Sequence, residues 1–482
     1  MNICGVEEIR SAEAEAFAGD PDGYGLMLRA GRAAAEIIRG FFPRVRRTVF
    51  LCGGGNNGGD ALAAASSLPG KVVVYAVKPL AELRGAAARA AKDLPENVEV
   101  CVCEGPFPGM FRFGDLIVDG LLGIGFSGGV LREPVSSIIR AVNASGCPVV
   151  SLDVPSGLDS DNGRAAEPTV RAELTVTFGA VKRGLLCGDG PALCGVLRAV
   201  DIGLGQVSQD DRAVTFEEAV KLLPRPAADV HKNTRGSLLV ASGSREFAGA
   251  AALTACAALR CGAGIVRLAA VRAAGLPHAV IVREFPSEKG VLPPTLWREI
   301  SPWVRSSGAL AAGPGWGDAE PGLLAGVFDF PGPVVLDADG LNLAARHPQL
   351  WRSRKDLVIT PHPGEAARLA RAFGVSACGR SGLARVLAEK TGAVVLLKGK
   401  FTVVSSPDGR EKIVLSGSPA LATAGSGDVL TGIIGALLAA KLAPFEAAVL
   451  GASLHGRAGE LAGRGAIADD LPLILRDILR DL

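Results

Sequence analysis

Near the end of the chain, Ala422-Thr423-Ala424-Gly425-Ser426-Gly427-Asp428 runs into an apolar stretch, Val429 to Ala440, with the spacing of a buried helix. A helix that opens on glycines points bare backbone N–H groups at whatever lies before it. Those groups and the helix dipole favour an anion, above all a phosphate. Asp428 falls in the first turn, where its carboxylate can take a proton from an alcohol while the amides hold a phosphoryl group. The pattern suits phosphoryl transfer to a hydroxyl. An ordinary helix cap uses the same residue types.

A second set of acids lies in the first half. Thr48 to Cys52 reads as a strand, followed by Gly53-Gly54-Gly55-Asn56-Asn57-Gly58-Gly59-Asp60 and then an Ala-rich helix. Strand, glycine loop and helix in succession is where an α/β sheet binds a phosphate-bearing ligand. Gly53-x-Gly55-x-x-Gly58 matches the dinucleotide fingerprint, but Val77-Lys78-Pro79 stands about twenty positions on, where that fingerprint needs an acid. A plain NAD-dependent dehydrogenase is therefore disfavoured. Asn56, Asn57 and Asp60 in a tight loop can instead hold polar ligand atoms or a weakly hydrated cation.

Further strands are expected at Val72 to Val77, Val98 to Val102 and Leu116 to Val118. The last leads to Asp119 and the loop Gly123-Ile124-Gly125-Phe126-Ser127-Gly128-Gly129. Val149 to Leu152 leads to Asp153 and Ser156. In a parallel sheet these loops converge on one edge, which makes Asp60, Asp119 and Asp153 candidates for one pocket. In the second half, apolar runs end in Gly313-Pro314-Gly315-Trp316-Gly317, Asp337-Ala338-Asp339-Gly340-Leu341-Asn342, Thr360-Pro361-His362-Pro363-Gly364-Glu365 and Lys398-Gly399-Lys400-Phe401-Thr402. Glu365 sits where a first-turn acid belongs, His362 is locked between prolines, and Lys398 is placed to steady a phosphate.

The elements that must position these residues are of α/β type throughout. Residues 10 to 42 read as helix broken by a Gly-Asp-Pro-Asp-Gly turn, and strands at Leu174 to Phe178 and Val196 to Val200 close a first domain. Gly203 to Pro226 is polar and proline-bearing, a linker, after which helices and short apolar strands alternate again. A length of 482 residues exceeds one core, so two domains are expected, at 1–208 and 214–482. The 51 basic residues nearly balance 49 acidic ones, which leaves no basic field for nucleic acid. Ten cysteines include no C-x-x-C pair or Cys/His metal spacing and imply reduced thiols in a cytoplasmic protein. The N-terminus lacks the basic and apolar regions of a secretory signal, and the apolar helices are too short to cross a bilayer, so no membrane role is expected.

In order and spacing, Asn56-Asn57-Gly58-Gly59-Asp60, Asp119-x-Leu121-Leu122-Gly123-x-Gly125 and Asp153-x-Pro155-Ser156-Gly157-Leu158-Asp159 resemble the NAD(P)H-hydrate epimerase domain. The resemblance implies a Rossmann-like three-layer domain that interconverts R and S forms of hydrated NADH and NADPH. It places Asn56, Asn57, Gly58, Gly59 and Asp60 with Gly123, Ile124, Gly125, Phe126, Ser127, Gly128 and Gly129 along the hydrate site. It gives potassium to Asn57, Asp119 and Ser156, and substrate contact and acid/base work at C6 to Asp153. Ala61 and Ile124 depart from the usual Gly and Thr.

The second half, through His231-Lys232, Arg260-x-Gly262-Ala263-Gly264, the four loops above and Gly425-x-Gly427-Asp428, resembles the ADP/ATP-dependent NAD(P)H-hydrate dehydratase domain, a ribokinase-like fold. The resemblance implies that Lys398, Gly399, Lys400, Phe401, Thr402 and Gly427 contact the adenine nucleotide. Ala263, Gly315, His362 and Asp428 would contact the hydrate, with Asp428 catalytic. Lys400 replaces a common Ala or Gly. Magnesium with ADP or ATP as phosphoryl donor follows from the same resemblance, as does assembly of several copies. Partners would otherwise be small molecules only. A ribokinase-like kinase that releases a phosphorylated product, with the N-terminal domain a non-catalytic nucleotide-binding module, is the alternative reading.

Overall fold

The computed structural model describes all residues except 17–21, 104, 106, 108–110, 225–231, 233, 234 and 464. The chain divides into two compact units, Met1–Ala213 and Val214–Leu482. Among the described residues, no helix is long and apolar enough to cross a membrane.

The first unit is built on a seven-stranded parallel sheet. Its spatial order is Glu99–Val102, Lys71–Ala76, Arg47–Cys52, Asp115–Gly120, Val149–Leu152, Leu174–Phe178, Val196–Val200. The central strands are almost wholly apolar because both faces are covered. Phe50, Val74 and Val118 enter one layer of core, while Val49, Leu51 and Ile117 enter the other. Chain direction across the sheet reverses between Arg47–Cys52 and Asp115–Gly120, which opens a crevice at their carboxyl ends.

Two local details differ from expectation. The helix after Cys52 begins at Asn56, so Asn56 to Asp60 form its first turns and not a loop. Tertiary contact explains the glycines there. A Cβ on Gly58 would lie 2.0 Å from the Gly53 carbonyl oxygen, and one on Gly59 would lie 2.4 Å from Met27 Cε. Asp119, likewise, is inside its strand and not beyond it.

The second unit carries a ten-stranded sheet, ordered Ala213–Val214, Glu411–Val414, Thr402–Ser405, Val394–Leu397, Leu357–Ile359, Val334–Leu336, Ala309–Ala312, Ser237–Ala241, Ile265–Ala270, Ile281–Glu284. The pairings of Val394–Leu397 with Thr402–Ser405 and of Thr402–Ser405 with Glu411–Val414 are antiparallel, and the run from Val394–Leu397 to Ile281–Glu284 is parallel. The order in which the chain adds strands reverses between Ser237–Ala241 and Ala309–Ala312, which are parallel to each other. Right-handed crossovers therefore put helix Ala248–Arg260 on one face and helices Leu323–Asp329, Asp339–Arg346 and Pro363–Phe373 on the other.

Helix Ser426–Ala439 packs beside Ala248–Arg260 and is buried along nearly its whole length. Gly432 permits that approach, since a Cβ there would lie 2.2 Å from the Thr254 carbonyl oxygen, and Gly435 lets the helix lie against strand Ser237–Ala241, where a Cβ would be 3.0 Å from Leu238. The stretch expected as a linker is partly structured. Ala213–Val214 is an edge strand of the second sheet, and Thr215 with Glu218 forms a capping box on helix Phe216–Ala219. The end of that stretch, Arg225 and Pro226, and the motif residue His231 lie outside the described residues.

Candidate functional site

In the second unit, strand ends and one helix start bring a set of charges together. Asp337, 1% exposed, follows strand Val334–Leu336 and accepts hydrogen bonds from Lys398 Nζ at 2.8 Å and Thr431 Oγ1 at 2.8 Å. Glu365 Oε2 lies 4.0 Å from the same Nζ. His362 caps helix Pro363–Phe373: its Nδ1 accepts the Gly364 N–H at 3.0 Å while the Glu365 carboxylate accepts the His362 N–H at 2.8 Å. Burial alone would drive the proton off Lys398, but Asp337 and Glu365 outweigh it and hold the ammonium above its ordinary range.

Asp428 occupies the first turn of helix Ser426–Ala439, which starts from Gly425 at φ 88. Burial pushes the Asp428 carboxyl up to about 7, the Asp337 charge adds to the effect and Lys398 opposes it. The glycine before it leaves the helix start open. A Cβ on Gly427 would lie 3.4 Å from Lys398 Nζ and 3.6 Å from Asp337 Oδ2. Ser426 is not free for a ligand, since its hydroxyl donates to the Leu421 carbonyl at 2.7 Å.

Beside this cluster lies a cavity of about 510 Å³ lined by His362, Lys398, Lys400, Thr402, Gly427 and His455 among others. Arg380 braces the loop along it. Its Nη2 donates to the carbonyls of Leu397 and Lys398 at 3.3 Å each, and its Nη1 to that of Lys400. Asp339 accepts the Gly317 N–H at 2.8 Å, which ties the Gly313–Gly317 turn to the same edge. The arrangement can hold a polyphosphate at the open helix start with a buried acid poised near neutrality.

In the first unit, Asp153 follows strand Val149–Leu152 with φ 64, a strained value for a non-glycine. Its carboxylate pairs with Lys182, whose fully buried Nζ also donates to the Phe178 carbonyl at 2.7 Å and to Thr177 Oγ1 at 3.2 Å. A cavity of about 80 Å³ is lined by Glu13, Asn56, Asp60, Asp153 and Lys182. Burial raises the Asp60 carboxyl well above its ordinary range, and the Asp153 and Glu13 charges add to it. Glu13 is raised too, chiefly by burial. One cavity thus places carboxyls that burial shifts toward the protonated form beside the Asp153–Lys182 ion pair. Of the four described non-glycine residues with positive φ, three (Asp153, Ala338 and Phe401) lie in these site loops.

Asp119 does not join that cavity. It accepts from Ser151 Oγ at 2.8 Å, the Ser156 N–H at 2.9 Å, Ser156 Oγ at 2.5 Å and the Leu121 N–H at 3.2 Å. Asn57 Nδ2 donates to the carbonyls of Leu122 at 2.8 Å and Leu152 at 3.1 Å, leaving Asn57 Oδ1 buried with no partner among the described residues. Asn57 Nδ2 and Ser156 Oγ both meet the Leu122 carbonyl, which sets the orphaned amide in the neighbourhood of the Asp119–Ser156 pair, where the polar side-chain atoms besides the amide nitrogen are oxygens. Such a set fits an alkali cation better than a transition metal.

Comparison with known proteins agrees with this division into two sites. A family model described as NAD(P)H-hydrate dehydratase matches residues 238–480, and one described as YjeF-related protein N-terminus matches residues 23–184. A bifunctional NAD(P)H-hydrate repair enzyme of Coxiella burnetii is 37% identical over 96% of this chain and 96% of its own length. The chain belongs to the bifunctional NAD(P)H-hydrate repair enzymes. The Escherichia coli repair enzyme is 36% identical over 98% of this chain and 93% of its own. A crystal structure of the ADP/ATP-dependent NAD(P)H-hydrate dehydratase of Bacillus subtilis covers 57% of this chain and 99% of its own, at 26% identity and a TM-score of 0.46.

Most residues expected at the repair sites are brought together, with exceptions. Lys398, Gly427, Asp428 and His362 share one edge of the second sheet, and Gly315 packs against Phe247 and Ala250 at the start of helix Ala248–Arg260 on that edge. Ala263 lies at the opposite edge of the sheet from these residues. The neighbouring Gly264 N–H donates to the Gly236 carbonyl, and Gly236 abuts Ala439 at the far end of the helix that carries Asp428, about 16 Å away by helix rise.

In the first unit, Gly123 abuts Asn57, but none of Gly123 to Gly129 lines the Asp60–Asp153 cavity. Ile124 and Phe126 pack into apolar clusters, and Ala61 is fully buried against Gly120. Sequence reasoning assigned no role to Lys182, Glu13, Asp337, Thr431 or Arg380. Asp337 stood inside a quoted motif. Lys182 offered only a lysine closing an apolar run.

Proposed function

We propose that the chain repairs hydrated nicotinamide nucleotides at two sites, an epimerase site within residues 1–208 and a dehydratase site within 214–482. The observation that carries the reading is Asp428, a buried acid poised near neutral pH, next to the bare Gly427 amide and Lys398. Hydroxide is a poor leaving group, so the C6 hydroxyl of the S hydrate must be converted before it can depart. Asp428 accepts the hydroxyl proton as the oxygen attacks the terminal phosphorus of ADP or ATP, and AMP or ADP leaves. The Gly427 amide and Lys398 stabilise the transferring group. The ring nitrogen lone pair then expels phosphate, and loss of a C5 proton restores NADH or NADPH. Magnesium, bound with the nucleotide, supplies positive charge to its phosphates.

In the first unit, Asp153 does the acid/base work at C6 that interconverts the R and S hydrates, with Lys182 as its positioning residue. Asn57, Asp119 and Ser156 would hold potassium, which brings a fixed positive charge beside that site. Orphaned Asn57 Oδ1 supports this assignment. We assign the protein to the cytoplasm and to a homo-oligomer, with nucleotides as its only small-molecule partners.

The test is to supply R hydrate or S hydrate with ADP or ATP and magnesium and follow recovery of reduced-nicotinamide absorbance. Recovery of both forms is expected. A stable phosphorylated product without that absorbance would overturn the dehydratase reading in favour of a kinase.

A further inference from the structure

The donor nucleotide leaves a second cavity near the Asp337–Asp428 cluster unaccounted for. The cavity along Lys398 and Gly427 lies against helices Ser426–Ala439 and Pro444–Ala462. A larger open cleft, about 900 Å³, lies between helices Asp339–Arg346 and Pro363–Phe373 on the opposite face of the sheet edge. Its inner end is Gly317 and Asp339, the pair already tied to the reaction edge.

From there one side of the cleft follows Asp339, Asn342 and Arg346, residues three, then four apart on one helical face, rising about 10 Å outward. The other side is Arg368 and Arg371 on the facing helix. Arg368 Nε donates to Asn342 Oδ1 at 2.9 Å, and its remaining N–H groups are uncommitted to any partner among the described residues. Among the described residues, Arg346 pairs only with Asp318, whose side chain is 90% exposed, at 3.0 Å. The Arg371 guanidinium has no partner among the described residues, and Asp339 Oδ2 accepts the Gly317 N–H.

We propose that this cleft is the binding site for the phosphate-bearing half of the dinucleotide hydrate, with Arg346, Arg368 and Arg371 taking its diphosphate and any ribose phosphate. The inference rests on the dehydratase reading. A hydrate whose ring reaches Asp428 must lead its diphosphate and adenosine away from the donor, and this cleft is the route that starts at Asp339. Guanidinium groups match phosphate oxygens in geometry as well as charge.

The test uses the full chain and the variants Arg371→Glu and Arg346→Glu. KM for the S hydrate should rise about tenfold or more, most for the NADPH hydrate, while kcat and KM for the donor change less than about twofold. Direct titration with ADP-ribose and 2′-phospho-ADP-ribose should show the same loss, independent of turnover. Wild-type KM for both hydrates in both variants, or unchanged ADP-ribose binding, would overturn the proposal. A wild-type protein that binds ADP-ribose through these arginines yet never dehydrates the hydrate would instead overturn the dehydratase reading and leave the cleft standing.

Discussion

At the scale of single residues, the chemistry depends on carboxyls displaced from their ordinary titration range. Asp428 must be ionised to accept a proton, and burial holds its pKa at about 7. Dehydratase kcat/KM should therefore climb as pH rises through about 7 in the free enzyme and level off above it. A profile flat from pH 5 to 8 would contradict the assignment. In the other site, Lys182→Met leaves the Asp153 carboxylate buried without its partner and should cost the first unit about 3–5 kcal/mol in urea unfolding. Adding Asp153→Asn should restore part of that loss, because no buried charge then remains. A double variant as unstable as the sum of the singles would show that the pair is not coupled. Asp428 was legible in the sequence because the glycines and the helix start that mark it are within a few residues, although Asp337 and Lys398, which tune it, are not. Lys182 was not, because its partner is 29 residues away and meets it only through the sheet.

At the scale of elements, the strands were legible as short apolar runs, and the helix carrying Asp428 as a long one. Helix Asn56–Ser67 began earlier than its glycines suggested. Gly58 and Gly59 are local helix breakers, but the Gly53 carbonyl and Met27 leave no room for a side chain there, so packing overrides propensity. The position of Ala263 at the other sheet edge was not legible, since a motif shows that a loop matters without showing on which edge of a parallel sheet it emerges. Close packing also fixes where Asp428 sits. Gly432→Val would drive a side chain into the Thr254 carbonyl and should destabilise the second unit by more than about 2 kcal/mol in denaturant unfolding, with a loss of dehydratase activity. An unchanged unfolding midpoint would mean that the two helices are not held as tightly as these distances require.

At the scale of the whole molecule, the chain forms two compact units, each with its own sheet and its own reversal of strand order, and each with acids at the carboxyl edge. Division of labour between them was legible because each half carries a complete set of motifs. The second cleft was not, since it depends on two helices facing one another across positions with no local pattern. If the units act separately, one substitution should silence one activity alone. The most direct measurement is Asp428→Asn in the full chain, assayed with R hydrate for epimerisation and with S hydrate plus nucleotide for dehydration. Dehydration should fall by about a thousandfold or more, with nucleotide binding and epimerisation within about threefold of the parent. Retention of more than about a tenth of the dehydration rate, or joint loss of both activities in a folded protein, would contradict the account.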